Sequence, residues 1–417
     1  MNIFVKLISI PLILGMFSSC SSNDVPTLKL SGEYRDIELT PAEAAVAEAQ
    51  NAFSTKFISQ IANLEGQQGE NLMISPLSAG IALSILANSV DEATTSEVLN
   101  LLGQSDLEAL NDYNRTLMMN LPVAHDSTTL ALANGIWISD KYAVPESYSA
   151  AFFDVFGDHP QSLDFQNKSN AKKVLNSWSS RHTNGLIKDI CPENINIMEV
   201  FFANALYFKS RWKDVFDPKN TTPGKFYGVP GVPYVNVDMM NGKHNIYSAE
   251  VDGTEIAKLF FHEKRYSIKF ILPARNTSVI DLVSDEEKFN EILSTELHSG
   301  YCKMQIPKFK IDGRFMMLNY LGKYLPDFEK GHWANCGLDS SLRNYTLVQH
   351  TSFNIDENGA EAAAVTSGWQ IGSSLLDSFV VNRPFAFVVT EEKTGTILLA
   401  GIVNDPTKAD SGELFYM

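Results

Sequence analysis

Residues 76–90 are apolar almost all the way round a helical period, and this feature constrains the fold more than any other. A helix without a polar face has to be buried, so the rest of the chain must close around it. Ser75 followed by Pro76 marks its start, a hydroxyl cap before a proline at the first helical position. With 417 residues and 44% hydrophobic composition the chain can build the core this needs, which excludes wholesale disorder.

The other periodic segments define the class. Pro41 opens an amphipathic helix in which Val46, Ala49, Phe53, Phe57 and Ile61 recur at spacings of three and four. Helical patterns also cover about 105–120, 145–156, 168–182 and 281–298. Strand-like runs occupy 130–139, 200–208, 256–261, 266–272, 302–311, 385–390 and 396–403, the last two joined by the hairpin signal Glu392-Lys-Thr-Gly395. Helices dominate the first half and strands the second, without regular βαβ alternation. The expected class is α+β, not a doubly wound sheet. No repeat or linker interrupts residues 41–406, which are read as a single domain with a tail at 407–417.

Residues 355–378 break the pattern. They begin like a strand, become Ala-rich, then turn Gly/Ser-rich, all between two core strands. A loop this long inside a compact domain is usually functional. At period two from Gly359, one face carries Ala360, Ala362, Ala364, Thr366 and Gly368, all small and uncharged, and the other carries Glu361, Ala363, Val365 and Ser367. Such a segment can enter a crowded sheet as an extra strand. From composition alone, a short Ala-rich helix over 358–366 competes with that reading.

Charge and motifs narrow the function. With 33 Lys and Arg against 49 acids, the net charge of −16 excludes nucleic acid and anionic head groups as partners for a basic face. Cys20, Cys191, Cys302 and Cys336 form no C-x-x-C pair and no histidine pair lies at zinc spacing. The last three read as buried free thiols, and no metal or cofactor is expected. The chain has no H-E-x-x-H, G-x-S-x-G, Walker loop or G-x-G-x-x-G, and its histidines have no triad-like context. Ser169-Asn-Ala-Lys172 and Ser210-Arg-Trp-Lys213 spell S-x-x-K, with Tyr234-Val-Asn236 and Lys393-Thr-Gly395 following in the order of periplasmic serine acyl-transfer enzymes. Each motif fixes few positions, and Ser210 closes a strand-like run instead of opening a buried helix. That enzyme stays a remote alternative, and the chain is not read as an enzyme.

At the N-terminus, Lys6 precedes the apolar stretch from Leu7 to Phe17, which is shorter than the ~20 residues of a bilayer span. A short apolar core ending at small residues, here Ser18 and Ser19, is an export signal. Cys20 directly after them resembles a bacterial lipoprotein signal, with Phe17 in place of the usual Leu; plain secretion with cleavage near Ser19 is the alternative. The expectation is a signal peptide at 1–19, then a lipidated Cys20 and polar tether at 20–40. The protein would be an exported lipoprotein of the outer membrane, on its periplasmic or cell-surface face, touching lipid only through the anchor.

Several motifs converge on one family. Asn71-Leu-Met-Ile-Ser-Pro-Leu-Ser78 resembles the serpin motif that opens a central buried helix. Asn204-Ala-Leu-Tyr-Phe-Lys-Ser-Arg-Trp212, with Phe216 beyond it, is similar to the serpin strand motif ending in a tryptophan under the top of the main sheet. Asp238-Met-Met240 matches a downstream strand. Glu357-Asn-Gly-Ala-Glu-Ala-Ala-Ala-Val-Thr366 resembles the serpin hinge, and Asn382-Arg-Pro-Phe-Ala-Phe387 through Gly401 the C-terminal strands. In family order they span nearly all of 41–406. The chain departs in Ser210 for the usual Gly, in Ala360 for the usual hinge Thr, and in Gln349 where the family's sheet-opening His falls, His350 being one step late.

The resemblance implies a serpin fold, three β-sheets with about nine helices and an exposed reactive loop offered to a protease. It implies that a serine or cysteine protease forms an acyl-enzyme on the loop. The hinge of Glu357, Gly359, Ala360, Glu361, Ala362, Ala363, Ala364 and Thr366 then inserts into the main sheet and traps it. Ser75, Ser78, Trp212 and His350 fall where that sheet opens. Family spacing from Glu357 puts the reactive bond at Ser373–Ser374, with Ile371, Gly372 and Leu375 in neighbouring registers. A small residue before the bond, and no Arg or Lys between Glu357 and Asp377, point to an elastase-like or subtilisin-like protease, with a papain-like cysteine protease as a further option. A monomer is expected, and a non-inhibitory binding protein of this fold is the alternative.

Overall fold

The structure, a computed structural model, describes residues 32–409 other than 67–68, 126, 184, 186–187, 326–327, 329–330, 339–343 and 361–372. Nine α-helices lie among the described residues: α1 (Pro41–Glu65), α2 (Pro76–Ser89), α3 (Glu92–Leu101), α4 (Leu107–Asn120), α5 (Glu146–Phe156), α6 (Lys168–His182), α7 (Val279–Ser284), α8 (Glu286–Ser294) and α9 (Leu318–Tyr324). The strands of the first half are β1 (Leu72–Ile74), β2 (Val123–His125), β3 (Thr128–Ser139), β4 (Gln161–Leu163) and β5 (Val200–Arg211). Next come β6 (Thr222–Phe226), β7 (Val235–Val251), β8 (Thr254–Phe260), β9 (Tyr266–Leu272), β10 (His298–Pro307) and β11 (Phe309–Met316). The last are β12 (Tyr345–Ile355), β13 (Gly359–Ala360), β14 (Ser373–Val380), β15 (Phe385–Glu391) and β16 (Ile397–Val403).

The main sheet runs β11-β12-β5-β3-β2, with β13 added to β5 and β4 to β3. The other strands run β1-β16-β15-β9-β8-β7-β10-β14, with β6 on β7. Long β7 joins the two parts of that set: residues 239–248 pair with β10 and residues 247–251 with β8, so these nine strands form one continuous hydrogen-bonded set beside the main sheet. Helices and mixed sheets in this arrangement make the fold α+β, as expected.

The central helix forms as its sequence dictates. The Ser75 hydroxyl accepts from the Ser78 N–H, Pro76 takes the first helical position, and every residue of 76–87 is buried. Proline costs nothing there because its missing N–H would have had no partner inside the helix. Thr40 and Glu43 cap α1 reciprocally, at 2.8 and 3.3 Å. The main sheet is covered twice. Phe202, Leu206 and Phe208 of β5 belong to the core containing α2, while Ala203, Ala205 and Val348 pack with Leu175 and Trp178 of α6 on the opposite face.

Two boundaries differ from the sequence reading. The single helix expected over 281–298 is α7 and α8. Asp285 leaves helical geometry between them and its carboxylate caps α8 at the Lys288 N–H; the chain is already strand at His298. The run 302–311 divides at Lys308, whose N–H bonds to the Asp238 carbonyl as the chain leaves β10 for β11 in the main sheet.

Candidate functional site

β12 ends at Ile355, and the chain turns back at once. The Asp356 and Gly359 backbones exchange hydrogen bonds at 3.0 and 3.2 Å, after which Gly359 and Ala360 pair antiparallel with Arg211 and Ser210 of β5. Gly359 sits at φ +130, and a Cβ there would lie 2.3 Å from the Ser210 carbonyl oxygen, so glycine is required. Ala360 is 2% exposed. A helix beginning at residue 358 is therefore corrected: the first hinge residues take extended geometry because β5 offers them an open strand edge.

Trp212 holds this turn from below. Its N–H bonds to the Asn358 carbonyl at 2.7 Å and its Nε1–H to the Asp356 carbonyl at 2.9 Å, while its ring stacks on Phe261 at 4.8 Å. Phe216 donates its N–H to the Glu357 carbonyl at 2.9 Å. The Glu357 carboxylate accepts from the Thr221 hydroxyl at 2.7 Å and lies 3.1 Å from Lys308 Nζ. Burial works to raise its pKa, but the Thr221 and Lys308 bonds outweigh burial and hold the carboxyl below its usual range. Thr221 and Lys308 had no signal in the sequence, because both reach Glu357 only through the tertiary fold. Ser210, where the family usually has Gly, is buried and shares a 2.7 Å hydroxyl–hydroxyl bond with Thr128.

Beneath the sheet, Gln349 takes the position read as the departure. Its Oε1 accepts the Ser75 N–H at 2.6 Å and its Nε2–H donates to the Ser75 carbonyl at 2.7 Å. Asn204 donates to Asn134 at 2.6 Å beside it. Ser78 is fully buried next to the cap. His350 does not join this group, which corrects its placement there. Adjacent strand residues point to opposite faces, so with Gln349 toward α2, His350 faces the α6 side, opposite Ala205 and near the charges of Arg314 and Asp189.

β12 and β5 close directly on each other as parallel neighbours, from Tyr345 against Val200 to Ser352 against Tyr207. The hinge thus stands at the mouth of a closed seam. The chain is described again at β14, which pairs parallel to β10 with Ser373 opposite Tyr301 and Ser378 opposite Lys303. Five residues on one strand against two on the other force a bulge, so the Ser373–Ser374 bond opens an irregular edge strand. Glu361, Ala362, Ala363, Ala364, Thr366, Ile371, Gly372 and Cys20 lie outside the described residues.

The acyl-transfer motifs do not assemble among the described residues. Ser169 is exposed on α6 with Lys172 held by Asp189 at 3.0 Å. Ser210 is committed to Thr128, and Lys393 sits in the β15–β16 turn 3.8 Å from Asp36. Cys302 and Cys336 are buried free thiols and Cys191 is half-buried and free. No helix among the described residues is long and apolar enough to cross a membrane.

A parallel seam in a double-covered sheet, with a small-residue hinge paired at its mouth and a long connection to the edge of another sheet, defines a class of proteins that hold a loop at the entrance to a sheet. The family model "Serpin (serine protease inhibitor)" matches residues 48–406, and the chain belongs to the serpin family. Serpin-Z1 of Arabidopsis thaliana is 29% identical over 366 residues, covering 82% of this chain and 90% of that protein. "Probable non-inhibitory serpin-Z5" of the same plant is 28% identical, covering 84% and 82%. Among solved structures, the native stressed conformation of Arabidopsis AtSerpin1 matches with a TM-score of 0.75 and 26% identity over 89% of this chain and 100% of that one. Human kallistatin matches in fold with a TM-score of 0.77 at 20% identity, over 88% and 100%. Serpins in general act on proteases as inhibitors and not as catalysts.

Proposed function

We propose that this chain is a suicide-substrate protease inhibitor whose reactive loop, residues 357–378, is cleaved at Ser373–Ser374 and inserts between β5 and β12. The observation that carries the reading is the pairing of Gly359 and Ala360 with Arg211 and Ser210. Continued, that register would set Ala362 opposite Phe208, Ala364 opposite Leu206, Thr366 opposite Asn204 and Gly368 opposite Phe202. Residues directly opposite on antiparallel strands share a face, and Phe208, Leu206 and Phe202 face the α2 core. Only small uncharged side chains would enter it. Glu361 would fall opposite Lys209 on the other face.

In this mechanism the protease nucleophile attacks the Ser373 carbonyl and the Ser374 amine leaves, freeing the hinge from its tether. Insertion then competes with hydrolysis of the acyl-enzyme, and a hinge already started in register shortens the race. Absence of Arg and Lys before the bond favours elastase-like or subtilisin-like targets, with a papain-like cysteine protease the further option. Incubation of the protein with these three protease types tests the reading. The expected result is an SDS-resistant adduct and a new N-terminus at Ser374. Complete cleavage without adduct would leave the non-inhibitory reading that the name of Serpin-Z5 carries.

The same proposal places the protein outside the cytoplasm on a lipid anchor at Cys20, after removal of residues 1–19. Cys20→Ala should move it from the membrane to the soluble fraction. Wild-type protein that is already soluble and carries no acyl mass would contradict the anchor.

A further inference from the structure

The strand beside the reactive bond has an unusual outer face. Lys243 of β7 and Lys303 of β10 stand directly opposite each other across the ladder, and both are exposed. Like charges at such a pair destabilise a sheet, and neither lysine has a carboxylate in ion-pair reach among the described residues. Lys243 lies 5.5 Å above the ring of Tyr301, the residue paired with Ser373. Asn245, opposite Tyr301, and exposed Tyr247 continue the face to a cleft that Lys213 and Lys264 also line. Four lysines gather here in a chain of net charge −16, with Asp214 lining the same cleft and Glu263 next to Lys264 along the chain.

Position gives this patch a partner. Asn245 is two strands from Ser373, about 10 Å at the usual strand spacing. A protein docked on the reactive bond covers about 800 Å² of its partner, a disc of roughly 16 Å radius, and that disc contains the patch. We propose that the outer face of β7 and β10 is a second docking surface that recruits a protease bearing acidic residues on the rim of its active-site cleft. This rests on the inhibitor reading and deepens it: loop sequence selects the cleft chemistry, and the lysines select the rim and speed encounter. Tyrosines beside lysines suit such a surface, supplying rigid area between charges.

The test uses a subtilisin-type protease in two surface forms, one with Asp and Glu on the cleft rim and one with Lys and Arg. In each, the nucleophilic serine is replaced by alanine, so that binding is read without cleavage or insertion. At low salt the full-length protein should bind the acidic-rim form about tenfold faster than the basic-rim form, and the difference should shrink at high salt. The double variant Lys243→Glu/Lys303→Glu should lose that preference, and Lys243→Gln/Lys303→Gln should reduce it while removing the like-charge pair. Equal binding of both rims by wild type, or a preference that survives in both double variants, overturns the proposal. Adduct formation by the active proteases is scored separately. Its absence would count against the inhibitor reading alone, because the binding comparison involves no covalent step.

Discussion

At the scale of single residues, a side chain at the centre of the sheet has to satisfy both backbone groups of Ser75. Gln349 does so because its amide offers an acceptor and a donor at once. Gln349→Ala should therefore cost about 1–3 kcal/mol in denaturant unfolding, since it strands a buried N–H and C=O; an unchanged midpoint would show that neither bond matters. The resemblance put Ser75 at the sheet opening, but which of positions 349 and 350 reaches it follows from period-two alternation only once one strand neighbour is placed. Two buried histidines add a pH dependence. Burial, with the charge of Arg314, holds the His350 imidazole down to about 3, and burial beside Phe216 holds His244 to about 4. Both would protonate near 6.5 when unfolded, so the unfolded chain binds more protons below that pH and stability falls as pH drops from 6.5 toward 4. His244→Phe should flatten this fall in a series of melts across that window; an identical slope would remove His244 from the explanation.

At the scale of elements, the proposed mechanism makes the hinge decide between inhibitor and substrate. Ala362→Arg would force a charge against Phe208 during insertion, at a cost of several kcal/mol unless the strand stalls. Stalling gives the protease time to hydrolyse the acyl-enzyme, so this variant should turn from inhibitor to substrate with the same bond cut, measured as inhibitor molecules consumed per protease. Glu361→Arg, on the other face, should keep nearly wild-type stoichiometry. Inhibition by both at the wild-type ratio would exclude insertion in this register. The alternation that makes this prediction was visible in the sequence, as was α2, whose apolar residues surround the whole helix. Other elements were hidden for physical reasons. β12 reads Tyr-Thr-Leu-Val-Gln-His-Thr-Ser-Phe-Asn-Ile, with no simple alternation, because the core lies on one of its faces and α6 covers the other. α3 is polar along most of its length and depends on the Asp91 cap, while the α7–α8 break rests on Asp285 capping one helix as it ends another.

At the scale of the whole molecule, the fold keeps β5 and β12 paired in parallel while Gly359 and Ala360 stand at one end of that seam. The order of motifs along residues 41–406 made the fold legible. The contacts that restrain the hinge were not, because Trp212, Phe216, Thr221 and Lys308 meet residues 356–358 across more than one sheet. If the closed seam is the less stable arrangement, cutting the tether should release it. An inserted strand would add about a dozen ladder hydrogen bonds, each worth a net 0.5–1.5 kcal/mol or so. The direct measurement is a pair of thermal melts, one of the intact protein and one of protein cleaved at Ser373–Ser374 with both fragments retained. Insertion predicts that the cleaved form melts far above the intact form; a cleaved form that melts at or below the intact one would contradict it.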